Sequence, residues 1–293
     1  MSRIVVLGSG GRLGAALVRE WTAAGQNVVG LNRQQADLAE DAALHAALDP
    51  LEFDVLVNCA AQTNVDRCET HPEEAFRING EAVGTVAQIC AKKGARCVHI
   101  STDYVFDGAK RKPYTEGDPA EPISHYGRSK LNGETAVLSV DPRNLAVRVS
   151  WVFGPDRPSF VDQILAKARV DEQVSAIGDK WAVPTYTLDI AELLLPLVTE
   201  QRMSGVVHLC NGGACTWQEY GEWAIRCAVE AGVPMRATSV VALKMSDLTA
   251  FIARRPVYTV MSTGRLSAAL AVCPRSWQEA VRDYVSKVWV RTV

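Results

Sequence analysis

Short apolar runs alternate with amphipathic stretches along much of the chain. Six runs are predicted to form buried strands: Arg3–Leu7, Asn27–Leu31, Phe53–Asn58, Arg96–Ser101, Leu145–Val152 and Val206–Asn211. Helical periodicity predicts five longer helices: about Leu13–Ala24, Glu73–Lys93, Thr187–Glu200, Trp217–Ala231 and Trp277–Val288. Alternating short strands and helices are typical of βαβ units, whose right-handed crossovers build a doubly wound parallel sheet. The pattern therefore predicts an α/β fold of the Rossmann type.

Composition narrows the class of protein. The 31 basic and 33 acidic side chains give a net charge of −2, which argues against a nucleic-acid partner because such proteins carry a basic face. No apolar run approaches the roughly 18 residues that span a bilayer, so we expect no membrane partner. The first predicted strand begins at Arg3, leaving no room for a signal peptide, and the eight cysteines form no C-x-x-C pair or zinc pattern. We therefore expect a cytoplasmic protein with free thiols.

A glycine-rich loop, Gly8-Ser9-Gly10-Gly11-Arg12-Leu13-Gly14, joins the first strand to the first helix. Gly8 suits the tight turn, Gly11 lets the backbone approach a pyrophosphate, and Gly14 allows close packing of helix on strand. A pyrophosphate on this loop would meet free N–H groups at the positive end of the helix. The loop predicts dinucleotide binding, and residues 1–154 with about 187–211 are expected to form an NAD(P)-binding domain. A smaller, interleaved C-terminal substrate domain would comprise about 155–186 and 212–293.

The residues after the second strand bear on the choice of cofactor. Asn32 and Arg33 stand where NAD-selective proteins usually carry an acid for the ribose 2′-hydroxyl, and Arg33 is suited to a 2′-phosphate. NADP(H) is therefore favoured, while NAD(H) stays open because Arg33 also fits a solvated surface position. Asp37 and Leu38 follow where the adenine would lie; the alternative for Asp37 is a helix N-cap.

Candidate catalytic residues follow two predicted elements. Thr102 ends the fourth strand, and Tyr126 and Lys130 stand four residues apart, on one face of a helix. A nearby ammonium favours phenolate, so Lys130 is expected to lower the pKa of Tyr126 and make it a proton donor near neutral pH. The Thr102 hydroxyl would hold a substrate carbonyl oxygen beside Tyr126.

Several stretches together resemble a known family. They are GSGGRLG, NCAAQTNVDRCE, FRINGEAVGT, HISTDYVFDG, PYTEGDPAEPISHYGRSKLNGE and RVSWVFG, with weaker echoes in AVPTYTLDIAELL, GVVHLCN and ARRP. In these the chain resembles the extended short-chain dehydrogenase/reductases, and among them the dTDP-4-dehydrorhamnose reductases. The resemblance implies NAD(P)H-dependent reduction of the C4 keto group of a nucleotide-linked 4-keto-6-deoxy sugar, dTDP-4-dehydro-L-rhamnose giving dTDP-L-rhamnose.

The resemblance also implies roles for individual residues. Thr102, Tyr126 and Lys130 would be the catalytic set, with Tyr126 and Lys130 also touching the cofactor. Other cofactor positions implied by the resemblance are Gly11, Arg12, Leu13, Asp37, Leu38, Ala61, Gln62 and Thr63. The glycine loop and the end of the second strand add Gly8, Asn32 and Arg33 to the expected cofactor site. Asp103 and Trp151 match positions that touch the sugar, and Trp151 is otherwise an ordinary core residue. Arg255 is suited to the substrate diphosphate, the alternative being a surface turn.

Departures from the family leave alternatives. Gln62 stands where many relatives have an aromatic residue or histidine, and Ala15 replaces a glutamate of relatives described as magnesium-bridged dimers, so no metal is expected. Tyr104 stands where dehydratases carry a glutamate, which disfavours that activity. A reductase or epimerase of another nucleotide sugar and a non-catalytic NADP-binding regulatory subunit, like the methionine adenosyltransferase beta subunit, stay open, as does a homodimer.

Overall fold

The computed structural model describes residues 2–200 and 203–292, and its strands are short. In chain order they are β1 (Arg3–Leu7), β2 (Asn27–Leu31), β3 (Val55–Asn58), β4 (Arg96–Thr102), β5 (Leu145–Val149), β6 (Val152–Phe153), β7 (Val174–Ile177), β8 (Trp181–Ala182), β9 (Thr185–Tyr186), β10 (Gly205–His208), β11 (Cys215–Thr216) and β12 (Val240–Leu243). Six of them form one parallel sheet in the order β10-β5-β4-β3-β1-β2. The predicted doubly wound parallel sheet is therefore confirmed.

The helices surround this sheet and build the smaller part of the molecule. They are α1 (Arg12–Ala23), α2 (Asp41–Leu48), α3 (Val65–Thr70), α4 (Pro72–Phe76), α5 (Ala82–Lys92), α6 (His125–Val140), α7 (Phe160–Val170), α8 (Thr187–Thr199), α9 (Trp217–Glu230), α10 (Gly264–Leu270) and α11 (Trp277–Lys287). Short 3₁₀ turns lie at Asp103–Val105, Met245–Asp247 and Trp289–Thr292. Within the described ranges, no helix is both long enough and apolar enough to cross a membrane.

Alternate residues of β1 face the two helical layers. Ile4 and Val6 pack with apolar side chains of α1 and α8, whereas Val5 and Leu7 pack with α2 and α5. Trp21 closes the first layer, and its indole Nε1 donates to the backbone oxygen of Ala191, 2.8 Å away. Because both faces are covered, the strands read as continuous apolar runs, which is the feature that revealed them in the sequence.

The strand order creates a crevice at the carboxyl ends of the strands. The chain moves from β1 to β2 on one side and then returns to β3 on the other side of β1. Where the strand order of a doubly wound sheet reverses in this way, ligands bind beyond the carboxyl ends of the strands. The loops after β1 and β3 therefore border the expected site.

Two predicted elements are interrupted in the structure. The predicted helix Glu73–Lys93 contains a π-helical turn, Arg77–Glu81, in which Asn79 is buried. A Cβ on Gly80 would collide with the Asn132 side chain, so glycine permits this close packing of α6. The predicted strand Leu145–Val152 ends at Val149, because Trp151 adopts a positive φ of 38° that a regular strand excludes.

The smaller part of the molecule has its own apolar cluster. Side chains of α7, α9 and α11 pack together with β7, β9 and β12, and Tyr220 is among the residues they bury. Between these elements the chain returns to the central sheet through α8 and β10. This packing is compatible with an interleaved second domain, whose boundaries stay a prediction.

Candidate active site

A cleft of about 950 Å³ lies at the carboxyl ends of β1 to β5. Its lining includes nearly all the residues singled out in the sequence: Gly8, Gly11, Arg12, Leu13, Asn32, Arg33, Asp37, Leu38, Ala61, Gln62, Thr63, Thr102, Asp103, Tyr126, Lys130 and Trp151. Arg255 is the exception and does not line the cleft. The fold thus brings residues that are far apart in the sequence to one cavity.

The glycine loop forms one end of the cleft. Gly8 has a φ of +78°, and a Cβ there would lie 2.7 Å from the backbone nitrogen of Ala60. A Cβ on Gly14 would collide with the carbonyl oxygen of Gly8, so glycine is required at both positions. Gly11 precedes α1 without providing a side-chain cap, and the first turn carries no acidic residue. The first N–H groups of α1 are therefore suited to an anion from a ligand.

Two arginines join the glycine loop to the segment after β6. Arg12 donates to the carbonyl oxygens of Val152, Arg157 and Pro158 at 3.3, 3.1 and 2.5 Å. Arg157 donates in return from Nε to the carbonyl oxygen of Gly10, 2.7 Å away. Burial lowers the pKa of Arg12, an effect that the nearby carboxylate of Asp162 opposes. The Arg12 side chain is thus hydrogen-bonded within the protein, whereas its backbone borders the cleft.

The end of β2 carries a solvent-exposed cation. Arg33 is 77% exposed and its Nε lies 3.1 Å from a carboxylate oxygen of Asp37. The other oxygen of Asp37 accepts the backbone N–H of Ala39, and these bonds lower the Asp37 pKa, the backbone bond more than Arg33. The N-cap of α2 is Glu40, so the alternative role of Asp37 as its N-cap is wrong.

Tyr126 and Thr102 meet at the centre of the cleft. Ser124 caps α6 by accepting the backbone N–H of Gly127, which places Tyr126 in the first turn beside the end of β4. Both residues are buried, and their side chains line the same cavity. Burial raises the pKa of Tyr126, and the neighbouring Thr102 hydroxyl opposes the rise.

Lys130 is oriented toward the sheet. Its Nζ donates to the carbonyl oxygen of Ile100, 2.7 Å away, and lies 3.0 Å from Nε2 of His99. Burial lowers the pKa of Lys130 to about 8, while the carboxylate of Glu134 opposes this shift. Burial likewise keeps His99 neutral by lowering its pKa. The expectation that Lys130 lowers the pKa of Tyr126 is wrong for this structure, because burial dominates at Tyr126.

The loop after β3 is held by an asparagine that sequence reasoning missed. Asn79 accepts the backbone N–H of Gln62 at 2.8 Å and donates to the Gln62 carbonyl and to the Ser129 hydroxyl, both at 3.0 Å. These bonds fix the backbone of Gln62 along the cleft. The signal in the sequence is a polar residue at a buried position of an otherwise amphipathic helix.

The opposite end of the cleft contains Asp103 and Trp151. Asp103 is buried and accepts the hydroxyls of Thr102, Ser150 and Thr259 at 3.0, 2.9 and 2.6 Å. Burial raises the pKa of Asp103, and the nearby ammonium of Lys180 opposes this rise. The Trp151 indole stacks on Tyr220, and its buried N–H has no hydrogen-bond partner among the described residues.

Arg255 is bound by a carboxylate of the protein. Its two terminal nitrogens contact the oxygens of Asp66 at 3.0 and 2.8 Å, and its guanidinium lies 3.7 Å from the centre of the Phe251 ring. The pKa of Asp66 falls to about 2, mainly through the Arg255 hydrogen bond. The suggested diphosphate contact of Arg255 stays a prediction, since this geometry commits the guanidinium to Asp66.

A doubly wound parallel sheet with this glycine loop, and with threonine, tyrosine and lysine beside it, defines a reductase-type Rossmann protein. The chain belongs to the family described as RmlD substrate binding domain, whose model matches residues 2–290.

Individual relatives agree with this assignment over nearly the whole chain. The spore coat polysaccharide biosynthesis protein SpsK of Bacillus subtilis is 34% identical over 98% of each chain. A dTDP-4-dehydrorhamnose reductase of Mycolicibacterium smegmatis is 35% identical over 98% of this chain and 86% of its own. The crystal structure of the Bacillus anthracis dTDP-4-dehydrorhamnose reductase in complex with NADP matches with a TM-score of 0.90 at 26% identity, over 97% of this chain and 98% of that one.

Proposed function

We propose that this protein reduces the C4 keto group of a nucleotide-linked 4-keto-6-deoxy sugar, converting dTDP-4-dehydro-L-rhamnose to dTDP-L-rhamnose with NADPH. The observation that carries the proposal is the meeting of Thr102, Tyr126 and Lys130 in a cleft that begins at the glycine loop. Full-length similarity to dTDP-4-dehydrorhamnose reductases supports this substrate over other keto sugars.

The residues of the cleft fit a nicotinamide dinucleotide. The uncapped first turn of α1 offers N–H groups to a diphosphate, and the absence of a Cβ at Gly8 and Gly14 permits the close packing of the loop. Gly11, Arg12 and Leu13 would bind the diphosphate, Asp37 and Leu38 the adenine, and Ala61 to Thr63 the path to the nicotinamide. A bound NADPH would supply hydride to C4. Residues 1–154 and about 187–211 would hold the cofactor, and the remainder the sugar nucleotide.

Tyr126 would provide the proton of the reaction. Because burial raises its pKa, the phenol is protonated at neutral pH and its O–H is available to the C4 oxygen of the sugar. Thr102 would orient that oxygen, and because its hydroxyl opposes the rise of the Tyr126 pKa, it would also favour the resulting phenolate. Lys130, held by Ile100 and His99, would bind the nicotinamide ribose.

NADPH would be preferred because Arg33 is the cation at the end of β2. Its exposed guanidinium, paired on one side with Asp37, has donors left for a 2′-phosphate. We expect Arg33→Ala to weaken NADPH more than NADH in titrations of intrinsic fluorescence. Arg236→Ala, at an exposed ion pair with Glu172 in the smaller part of the molecule, is the matched control. Equal losses for the two cofactors would show that Arg33 does not read the 2′-phosphate.

The activity is tested by coupling the protein to a source of dTDP-4-keto-6-deoxyglucose and a 3,5-epimerase while following NADPH oxidation. We expect substrate-dependent oxidation with dTDP-rhamnose as the product. Tyr126→Phe should keep NADPH binding and lose about 10²- to 10⁴-fold in turnover. Unchanged turnover in Tyr126→Phe would refute the mechanism. Cofactor binding without oxidation of NADPH would refute the proposed substrate.

A further inference from the structure

Arg157 borders the cleft without belonging to any of the predicted site positions. It lies between β6 and α7, its side chain is exposed, and it lines the cavity together with Gly10, Gly11 and Arg12. Nε donates to the carbonyl oxygen of Gly10. In the part of the chain that the structure describes, the two terminal guanidinium nitrogens have no hydrogen-bond acceptor and no ion-pair partner. Two charged N–H donor groups of a cleft-lining residue are thus available to a ligand.

Arg157 places a positive charge near the N-terminus of α1, where a negative charge would be favoured. The N-terminus of a helix carries a partial positive charge, which favours anions and disfavours cations. Arg12 is the first residue of α1 and Arg157 lies against it, close enough that its charge lowers the Arg12 pKa. The acid next to Arg157 in sequence, Asp156, is paired with Arg19 instead. The Asp162 carboxylate offsets part of this positive charge at Arg12, and an anionic ligand beside Arg157 would offset more of it.

The segment holding Arg157 is also fixed in place. The three bonds from Arg12 to the carbonyl oxygens of Val152, Arg157 and Pro158 bind this segment to the glycine loop. The hydrogen bond from Arg157 to Gly10 holds its exposed guanidinium beside the loop. Such a fixed fork suits bidentate binding of phosphate oxygens.

We propose that Arg157 is a ligand for the cofactor diphosphate, binding it from the side opposite the N–H groups of α1. This inference rests on the proposed function, because it takes the ligand of the glycine loop to be a dinucleotide. The diphosphate is favoured over the 2′-phosphate because Arg157 is tied to Gly10, on the loop itself, whereas Arg33 lies at the end of β2. The cofactor would thus contact both parts of the molecule.

The test compares ligands that differ in their phosphates. NADPH, NADH, ADP and 2′-AMP are titrated against the wild type, Arg157→Gln, Arg157→Lys and the control Arg236→Ala by calorimetry. Glutamine keeps an N–H donor for the Gly10 carbonyl but has no charge, and lysine keeps the charge. For Arg157→Gln we expect about 10-fold weaker binding of NADPH, NADH and ADP alike, and no change for 2′-AMP. Arg157→Lys should recover part of the loss, and added salt should shrink it.

Each other outcome refutes the proposal. Loss confined to NADPH and 2′-AMP would make Arg157 a ligand of the 2′-phosphate. Unchanged affinity of Arg157→Gln for NADPH, NADH and ADP would show that Arg157 serves only as a structural hydrogen-bond donor to Gly10. Equal losses in Arg157→Gln and Arg157→Lys that salt does not change would show a distorted loop. The ADP arm separates the two claims: charge-dependent ADP binding by a wild type that fails to oxidise NADPH would refute the proposed function and leave the Arg157 assignment standing.

Discussion

A buried ion pair near the proposed catalytic residue Lys130 allows a quantitative prediction. Arg148 of β5 and Glu134 of α6 are only 4% and 3% exposed, and two hydrogen bonds of 2.7 and 2.9 Å join them. The Ser101 hydroxyl donates to the same carboxylate at 2.5 Å. Glu134 lies one helical turn from Lys130, so the pair connects the stability of the sheet with the charge of the active site.

Replacing Glu134 by glutamine would leave the Arg148 guanidinium buried without its counter-charge. Arg148 also contacts the Phe106 ring at 5.1 Å and a ring nitrogen of His208 at 3.5 Å. Burial lowers the pKa of His208 to about 3, so its ring is neutral and supplies no charge. Removing one partner of a buried pair costs about 3–5 kcal/mol. We expect Glu134→Gln to lower the free energy of unfolding by an amount in this range.

The same substitution should shift the pH dependence of activity. The Glu134 carboxylate raises the pKa of Lys130, which burial holds at about 8. Without that carboxylate the Lys130 pKa falls further. Because Lys130 is charged only below its pKa, the loss of activity at alkaline pH should begin at a lower pH in the variant.

The measurements are urea unfolding at neutral pH and kcat/KM from pH 6 to pH 10. Glu121→Gln, at an exposed position, is the matched control and should change neither quantity. A double variant, Glu134→Leu with Arg148→Met, should regain stability because both charges are removed together. A stability loss below about 1 kcal/mol in Glu134→Gln, with an unshifted alkaline limb, would contradict the reasoning.

Three further substitutions or treatments test other parts of the structure. Gly14→Ala places a Cβ against the Gly8 carbonyl and should cost about 1–3 kcal/mol with loss of cofactor binding, as unfolding and titration would show. Asp66→Asn should destabilise the protein above pH 4 and progressively less toward pH 2, because the folded Asp66 pKa of about 2 lies below its ordinary value; a pH-independent difference would contradict this. Iodoacetamide at neutral pH should label exposed Cys273 first, since burial raises the Cys59 pKa to about 12; mass spectrometry giving the reverse order would refute it.

The parts of the site that were predictable are those encoded locally. The glycine loop, the strand ends and the Tyr126–Lys130 spacing each follow from a few consecutive residues, and the parallel sheet brings strand ends together by topology alone. Local patterns also predicted the class of cofactor. They placed the boundaries of the regular elements to within a few residues.

The parts that were not predictable depend on partners distant in the sequence. Asn79 binds the Gln62 backbone only because a π-helical turn rotates it inward. The Arg255 guanidinium is bound by Asp66, which is 189 residues away in the sequence, and nothing in the ARRP stretch itself shows this. The pKa of Tyr126 follows burial rather than its spacing from Lys130, and burial is a property of the assembled cleft.

The hydroxyl network around Asp103 joins the two parts of the molecule at the reacting centre. The Asp103 carboxylate accepts hydrogen bonds from the hydroxyls of Thr102 in β4, Ser150 after β5 and Thr259 in the C-terminal region. The Thr102 hydroxyl donates its one proton to Asp103, and its oxygen accepts the backbone N–H of Tyr104. Any movement of Thr259 would change the hydrogen bonding of Asp103, and through it the orientation of the Thr102 hydroxyl. The C-terminal region therefore contacts the candidate active site through Thr259.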